Sequence, residues 1–115
     1  MILQEDNKVR YQQMRILCMF DLPTETQQDK KYYRVFRKEL LANGFVMLQY
    51  SIYYRTVPNR SAAKKFEGTL KRITPPSGEI RLLYVSEKQF EDMKLLVGVR
   101  SHQEEKVGNN RLVVI

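Results

Sequence analysis

The feature that most constrains the fold is an apolar run that ends abruptly in an acid. Ile16–Phe20 is continuously apolar, and it is followed directly by Asp21 and a Leu-Pro turn. Unbroken apolar character over this length is typical of a buried strand. A carboxylate has no packing reason to lie there, because burying it without a partner destabilises the fold strongly. Asp21 is therefore either a turn or capping residue for the next segment or a ligand held at a strand end. The residues alone leave both interpretations open.

Size and charge define the class of protein. A chain of 115 residues fits one domain, and its net charge of +7 favours a polyanionic partner, nucleic acid before an anionic membrane. The apolar stretches are too short to span a membrane and the first residues are polar, so we expect a cytoplasmic protein with no membrane partner. The single cysteine, Cys18, lies inside the first predicted strand and is expected to be a small core residue.

The first half of the chain predicts a strand, a helix and a second strand. After the strand at residues 15–21, Thr24 or Thr26 can cap a helix that runs to about Asn43, with Gly44 just past its end. Phe45–Tyr54 is rich in aromatic and branched residues, which predicts a strand covered on both faces. This long segment can also bend or split into two strands.

The second half predicts a helix, a strand and a short helix. Ser61 is expected to cap a helix, and residues 79–85 alternate as a strand does. Ser86 and Gln89 form the pattern of a capping box for a short helix that reaches about Lys94, and Leu95–Val99 is a candidate short strand. The core-facing side chains are predicted to be Ala63, Phe66, Leu70 and Ile73 on the longer helix and Phe90 and Met93 on the shorter one.

This order of elements predicts an α+β, ferredoxin-like βαββαβ domain with two helices on one face of an antiparallel sheet. We assign residues 1–13 to a flexible segment, 14–99 to the domain, and 100–115 to a C-terminal loop and extra strand. The terminal RLVVI is apolar, and it is expected to dock on the sheet of its own subunit or of a neighbouring one.

Positive charge is concentrated on the helices. On the first helix one arc is predicted to face the core, and the opposite arc is cationic without an acid in it. Neighbouring cations on a helix repel each other. This favours the interpretation that the cationic arc contacts phosphates over the interpretation that it is only solvated. The core arc comprises Tyr32, Tyr33, Phe36 and Leu40; the candidate nucleic-acid-binding residues are Lys30, Lys31, Arg34, Arg37, Lys38, Arg60 and Lys64.

Three tyrosines offer another way to bind nucleic acid. Tyr50, Tyr53 and Tyr54 could stack on the bases of a single strand. The sequence run that marks RNA-recognition domains of this topology is missing, so we favour core or interface positions for these side chains.

The elements together resemble the Cas2 family of small CRISPR-associated proteins, in the form that accompanies Cas9 systems. The resemblance rests on RILCMFDLPTET, KKYYRVFRKELLANGF, QYSIYYR and VSEKQF, and it covers about residues 10 to 98. It implies a ferredoxin-like homodimer that sits between two Cas1 integrase dimers and takes part in capturing and inserting spacer DNA. The implied nucleic-acid partners are two double-stranded DNAs, the prespacer that is captured and the repeat into which it is inserted.

The resemblance also implies a metal-dependent endonuclease activity on RNA or duplex DNA. The family's metal-binding aspartate matches Asp21, which is thereby the expected catalytic and Mg²⁺-binding residue. Mg²⁺ keeps several waters, so Asp21 from each of two subunits could suffice to hold it. The scaffold role is favoured over the nuclease as the main function, and a regulatory or RNA-binding domain without catalysis is a third interpretation.

Overall fold

The computed structural model describes residues 13–97, which form a four-stranded antiparallel sheet and three helices. The strand order is β2-β3-β1-β4, so the first strand lies inside the sheet between two antiparallel neighbours. This is the arrangement predicted from the sequence. In chain order the elements are β1 (Met14–Asp21), α1 (Gln27–Ala42), β2 (Val46–Gln49), β3 (Ile52–Val57), α2 (Arg60–Arg72), β4 (Glu79–Ser86) and α3 (Glu87–Glu91).

The limits of α1 follow from local chemistry. The Thr26 hydroxyl accepts a hydrogen bond from the Asp29 amide at 3.0 Å, and the Asp29 carboxylate accepts one from the Thr26 amide at 3.1 Å. This reciprocal capping box satisfies two amides that the first turn leaves without partners. At the other end Asn43 is the last capping residue, and Gly44 has a φ of +83°. Thr26 rather than Thr24 is therefore the cap.

The cap of α2 differs from the prediction. Asn59, not Ser61, is the N-cap, because its backbone is extended and its side-chain oxygen accepts the Ala62 amide at 2.9 Å. Ser61 lies inside the first turn. Asn and Ser both cap helices well, so the choice between them depends on where β3 ends, which is at Val57.

The long segment Phe45–Tyr54 splits into a hairpin. Tyr50 and Ser51 form the turn between β2 and β3, and Ser51 adopts a φ of +67°. A positive φ is rare for a residue with a side chain, and it is found mostly in turns. The expectation that this segment is covered on both faces is wrong for β2, whose four residues are all exposed.

One hydrophobic core lies between the sheet and the two longer helices. Phe20 on β1 makes edge-to-face contacts with Phe36 of α1 (5.2 Å between ring centroids) and Tyr33, and it stacks on Tyr53 of β3. Phe45 meets Phe66 of α2 edge to face. Both helices therefore cover the same face of the sheet. The buried members are Ile16, Cys18, Phe20, Leu22, Phe36, Leu40, Phe45, Tyr53, Val57, Ala63 and Leu70.

The last elements are shorter than predicted. The capping box of Ser86 and Gln89 is present, but α3 ends at Glu91 rather than near Lys94. Met93 is 47% exposed instead of facing inward, and residues 95–97 form no strand. Tyr32, assigned to the core arc of α1, is 37% exposed.

Several expectations concern parts of the chain beyond the described ones. They are the flexible segment before residue 13, the rest of the candidate strand up to Val99, and the loop and strand over 100–115. Within residues 13–97, the structure has no helix long and apolar enough to cross a bilayer.

Candidate functional site

Asp21 lies at the exposed end of the central strand, between two turns. The preceding residue, Phe20, is anchored in the core and donates its amide to the Ser51 carbonyl at 3.0 Å. This bond attaches the β2–β3 turn to the end of β1. The Asp21 side chain points to the opposite face of the sheet from Phe20 and is exposed. The predicted strand-end carboxylate is therefore accessible to a ligand.

Gly78, in the loop before β4, packs against the backbone at the end of β1. Its φ is +104°, and a Cβ built on it would lie 2.8 Å from the Asp21 carbonyl oxygen and 2.7 Å from a Leu22 methyl. The loop before β4 thus runs against the backbone of Asp21 more closely than a side chain would allow. The two turns hold the aspartate in place through its main chain.

An open cleft of about 430 Å³ adjoins Asp21. In the β1–β4 register, Asp21 is directly opposite Glu79 and Met19 is directly opposite Arg81, so all four side chains lie on one face. The guanidinium of Arg81 lies 3.8 Å from the Glu79 carboxylate, and both side chains are largely exposed. The cleft is lined by Met19, Phe20, Asp21, Tyr50, Ser51, Ile52, Glu79 and Arg81.

The carboxylates of Asp21 and Glu79 can serve as metal ligands. Directly opposite residues of an antiparallel pair have Cβ atoms roughly 5 Å apart, within reach of one ion. Carboxylate oxygens are the hard ligands that Mg²⁺ prefers, and it keeps several waters. Among residues 13–97 no group of three or more His, Cys, Asp or Glu side chains converges. Within the described residues the chain therefore offers a carboxylate pair, a donor set whose oxygen chemistry suits Mg²⁺.

The cations predicted to bind nucleic acid lie on the outer surface of the helices. On α1, Lys30, Lys31, Arg34 and Lys38 are exposed, and on α2 Arg60 and Lys64 are exposed. Within the described part of the chain none of them forms an ion pair. Because both helices cover the same face of the sheet, these charges share one side of the molecule. We call this set of six residues the basic helix surface.

Arg37 differs from the other predicted cations. Its Nε donates a hydrogen bond to the buried Tyr53 hydroxyl at 2.8 Å, so its guanidinium satisfies a core polar group. Replacing Arg37 would leave that hydroxyl without its partner. A change in DNA binding by such a variant would therefore mix two effects.

The three tyrosines have different environments. Tyr53 is 1% exposed, in agreement with the favoured core position. Tyr54 lies on the opposite face of the sheet beside Phe90 of α3, with ring centroids 5.1 Å apart. Tyr50, at the turn next to the cleft, is 86% exposed. A platform of three stacked tyrosines does not form.

Arg15 fastens α3 to this second face of the sheet. Its guanidinium lies 4.0 Å from the centre of the Phe90 ring and 5.2 Å from that of Tyr54, and Nε donates to Glu87 at 3.0 Å. That hydrogen bond is the main cause of a raised pKa at Arg15. Between this cluster and the cleft at Asp21, the same face carries apolar side chains open to solvent, with Leu83 48% and Val46 52% exposed.

Asp21 was proposed from the sequence as a site residue, but Glu79 and Arg81 were not placed beside it. A signal for them was present in the predicted topology. If β4 runs antiparallel beside β1, the start of β4 must lie opposite the end of β1, which brings residues 79–81 to residues 19–21.

The fold and the site define a class of protein: a small ferredoxin-like domain with a strand-end carboxylate in an open cleft and a basic helix surface. A family model described as CRISPR associated protein Cas2 matches residues 14–93. The chain belongs to the Cas2 family.

Curated relatives are similar in sequence to this chain over most of their length. A protein named CRISPR-associated endoribonuclease Cas2 from Acidovorax ebreus is 46% identical over 94 residues, covering 82% of this chain and 92% of the relative. Proteins of the same name from Streptococcus mutans and Ligilactobacillus salivarius are 47% and 42% identical. They cover 76% and 74% of this chain and 80% and 84% of the respective relative. The predicted family and fold are thus confirmed.

Proposed function

We propose that this chain is a dimeric nucleic-acid-binding scaffold of CRISPR adaptation that joins Cas1 integrase dimers. The observation that carries the proposal is the basic helix surface. Its cations have no ion-pair partners within residues 13–97, and they cover one side of a chain whose net charge is +7. Contacts from such side chains to phosphates position a duplex without reading its sequence.

The open sheet face supports the dimer. On the side of the sheet that α1 and α2 leave uncovered it presents Val46 and Leu83, which are 52% and 48% exposed, and the half-buried Val85. An antiparallel sheet commonly leaves one face to water, but that face is then polar. A second copy of this chain would cover the apolar side chains and leave both basic helix surfaces outward.

The salt dependence of DNA binding tests the scaffold. The double variant Arg34→Ala/Lys38→Ala should bind every duplex sequence more weakly, and its log–log salt slope should be shallower by about 1.8, since each phosphate contact contributes about 0.9. These positions avoid the Tyr53 hydrogen bond of Arg37. Lys88→Ala, a cation on α3 away from the basic helix surface, is the matched control. An unchanged slope in the double variant would contradict the proposal.

A second function is favoured by the cleft and by the names of the relatives: metal-dependent hydrolysis of a phosphodiester at Asp21. Asp21 of two copies, with Glu79 beside it, would hold Mg²⁺ through carboxylate oxygens. When bound, the ion polarises a phosphoryl oxygen and makes a bound water more acidic. The protein's own part is to hold Asp21 between its two turns and to leave it open to solvent.

Replacing Asp21 separates the two functions. Asp21→Ala removes both copies of the ligand from a symmetric site, so Mg²⁺-dependent cleavage of RNA or DNA should be lost. An exposed strand-end position changes the free energy of unfolding by about 0.5 kcal/mol or less. The variant should therefore still form dimers, bind duplex DNA and support spacer integration with Cas1. Loss of integration by a folded Asp21→Ala dimer would make hydrolysis the primary function instead.

A further inference from the structure

We propose that Tyr50 and Arg81 form a nucleotide-binding subsite beside Asp21, in which Tyr50 stacks on an unpaired base and Arg81 contacts the adjoining phosphate. The inference deepens the proposed hydrolytic function, because it assigns substrate-binding residues to the same cleft. It concerns single-stranded nucleic acid, as a base inside a duplex has no free face for a protein ring to cover.

The exposure of Tyr50 is the first observation. Its side chain is 86% exposed, whereas the next two tyrosines along the chain, Tyr53 and Tyr54, are packed against other rings. An aromatic side chain that is so exposed to water contributes little to the stability of the fold. A tyrosine ring with both faces accessible can stack on any base, and this contact strengthens binding of single strands.

The position of Tyr50 is the second observation. Tyr50 shares its turn with Ser51, whose carbonyl accepts the Phe20 amide at 3.0 Å and whose φ is +67°. That hydrogen bond holds the turn at the end of β1, one residue from Asp21. Ser51 thus has a backbone conformation that is uncommon for a residue with a side chain. Tyr50 is therefore presented at the rim of the cleft.

Arg81 supplies the matching charge. It lines the same cleft, and its side chain is 72% exposed, so its guanidinium can reach a ligand. Its one ionic contact in the described chain, to Glu79, is 3.8 Å long and equally exposed. Such a pair exchanges readily for a bidentate contact with phosphate. A phosphate drawn to Arg81 would lie beside the carboxylates of Asp21 and Glu79.

Stacking can be measured directly with a fluorescent base. The probe is a short unstructured DNA or RNA strand with one 2-aminopurine, a base whose fluorescence falls when it stacks. Binding is followed in EDTA, where metal-dependent cleavage does not occur. Wild-type protein and Tyr50→Phe should quench the probe. Tyr50→Leu should bind it about five- to 100-fold more weakly and without quenching.

The remaining variants distinguish binding in the cleft from binding elsewhere on the surface. Arg81→Gln should make the single-strand salt slope shallower by about 0.7, the value of one phosphate contact, and Arg81→Lys should restore it. The matched controls are Tyr32→Leu on α1 and Lys88→Gln on α3, which should match the wild type with this probe. Duplex DNA of the same sequence should bind Tyr50→Leu as it binds the wild type.

Three outcomes would overturn the inference: equal quenching by Tyr50→Leu and wild type, no single-strand binding by the wild type, or a dissociated dimer in Tyr50→Leu. The last would make Tyr50 an interface residue. These results are distinct from failure of the hydrolytic function, which would appear as cleavage that does not depend on Asp21 while the 2-aminopurine signal still depends on Tyr50.

Discussion

Replacing Gly78 with alanine tests whether the loop before β4 holds the Asp21 backbone in place. The φ of +104° is unfavourable for a residue with a Cβ, by about 1–2 kcal/mol. The new methyl would also lie 2.8 Å from the Asp21 carbonyl oxygen and 3.2 Å from the Leu22 Cα. Overpacking of this kind destabilises by about 1–3 kcal/mol. We therefore expect Gly78→Ala to lower the free energy of unfolding by about 2–5 kcal/mol.

The backbone contact makes this change hard to relieve. The Leu22 methyl can rotate away, but the Asp21 carbonyl belongs to the end of a strand that pairs with β4 at Asp21 itself. Relief would have to move Asp21, so loss of the proposed Mg²⁺-dependent cleavage should accompany the loss of stability. Urea unfolding at one fixed protein concentration measures the effect, because the stability of the proposed dimer would depend on concentration.

Gly68→Ala is the matched control. Gly68 lies inside α2, and a Cβ there would meet no atom within 4 Å. Alanine is the better helix former, so this variant should be more stable than wild type by about 0.5–1 kcal/mol. If Gly68→Ala behaves in this way and Gly78→Ala unfolds at the same urea concentration as wild type, the argument about the Gly78 loop is refuted.

Two further changes test the capping box and the buried thiol. Thr26→Ala should lower the free energy of unfolding by about 1 kcal/mol in urea unfolding, and Thr24→Ala, which removes no cap, by much less; equal effects would contradict the assignment of the cap. Burial raises the pKa of Cys18 to about 12, whereas an unfolded thiol titrates near about 8.5. Between these values the unfolded chain binds fewer protons than the native one, so stability should fall as pH rises above about 8.5. Cys18→Ala should remove that part of the pH dependence, and a thiol reagent should label the wild type only as it unfolds; rapid labelling of native protein would contradict the buried position.

The helices were predictable because their ends are encoded locally. Thr26 with Asp29, and Ser86 with Gln89, are neighbours in sequence as well as in the capping boxes they form. The error at α2 came from the same local rule, since Asn59 and Ser61 are both acceptable caps. What separated them was where β3 ends, and a strand end depends on partners far along the chain.

The strand-end acid could be predicted from the local sequence, whereas its neighbours in the cleft follow only from the long-range pairing of strands. Asp21 stands out because an apolar run stops there. Glu79 and Arg81 become its neighbours through the register between β1 and β4, which local patterns do not encode. Tyr50 lies in a turn whose other residue, Ser51, has a positive φ, a conformation that local residue preferences do not predict for serine.

The central position of β1 has a consequence for how the protein forms during synthesis. Its pairs with β4 run from Met14 opposite Ser86 to Asp21 opposite Glu79. Among residues 13–97, the strand that is synthesised first is therefore paired with β4 only after most of this region has emerged from the ribosome. The β2–β3 hairpin and the helices close through short loops, whereas this pairing requires a long one and is slow for that reason. The nascent chain therefore carries an apolar strand with one open edge. A product that stops before β4 would have Asp21 but not Glu79 or Arg81, so it would lack the cleft and leave an apolar strand edge open to aggregation.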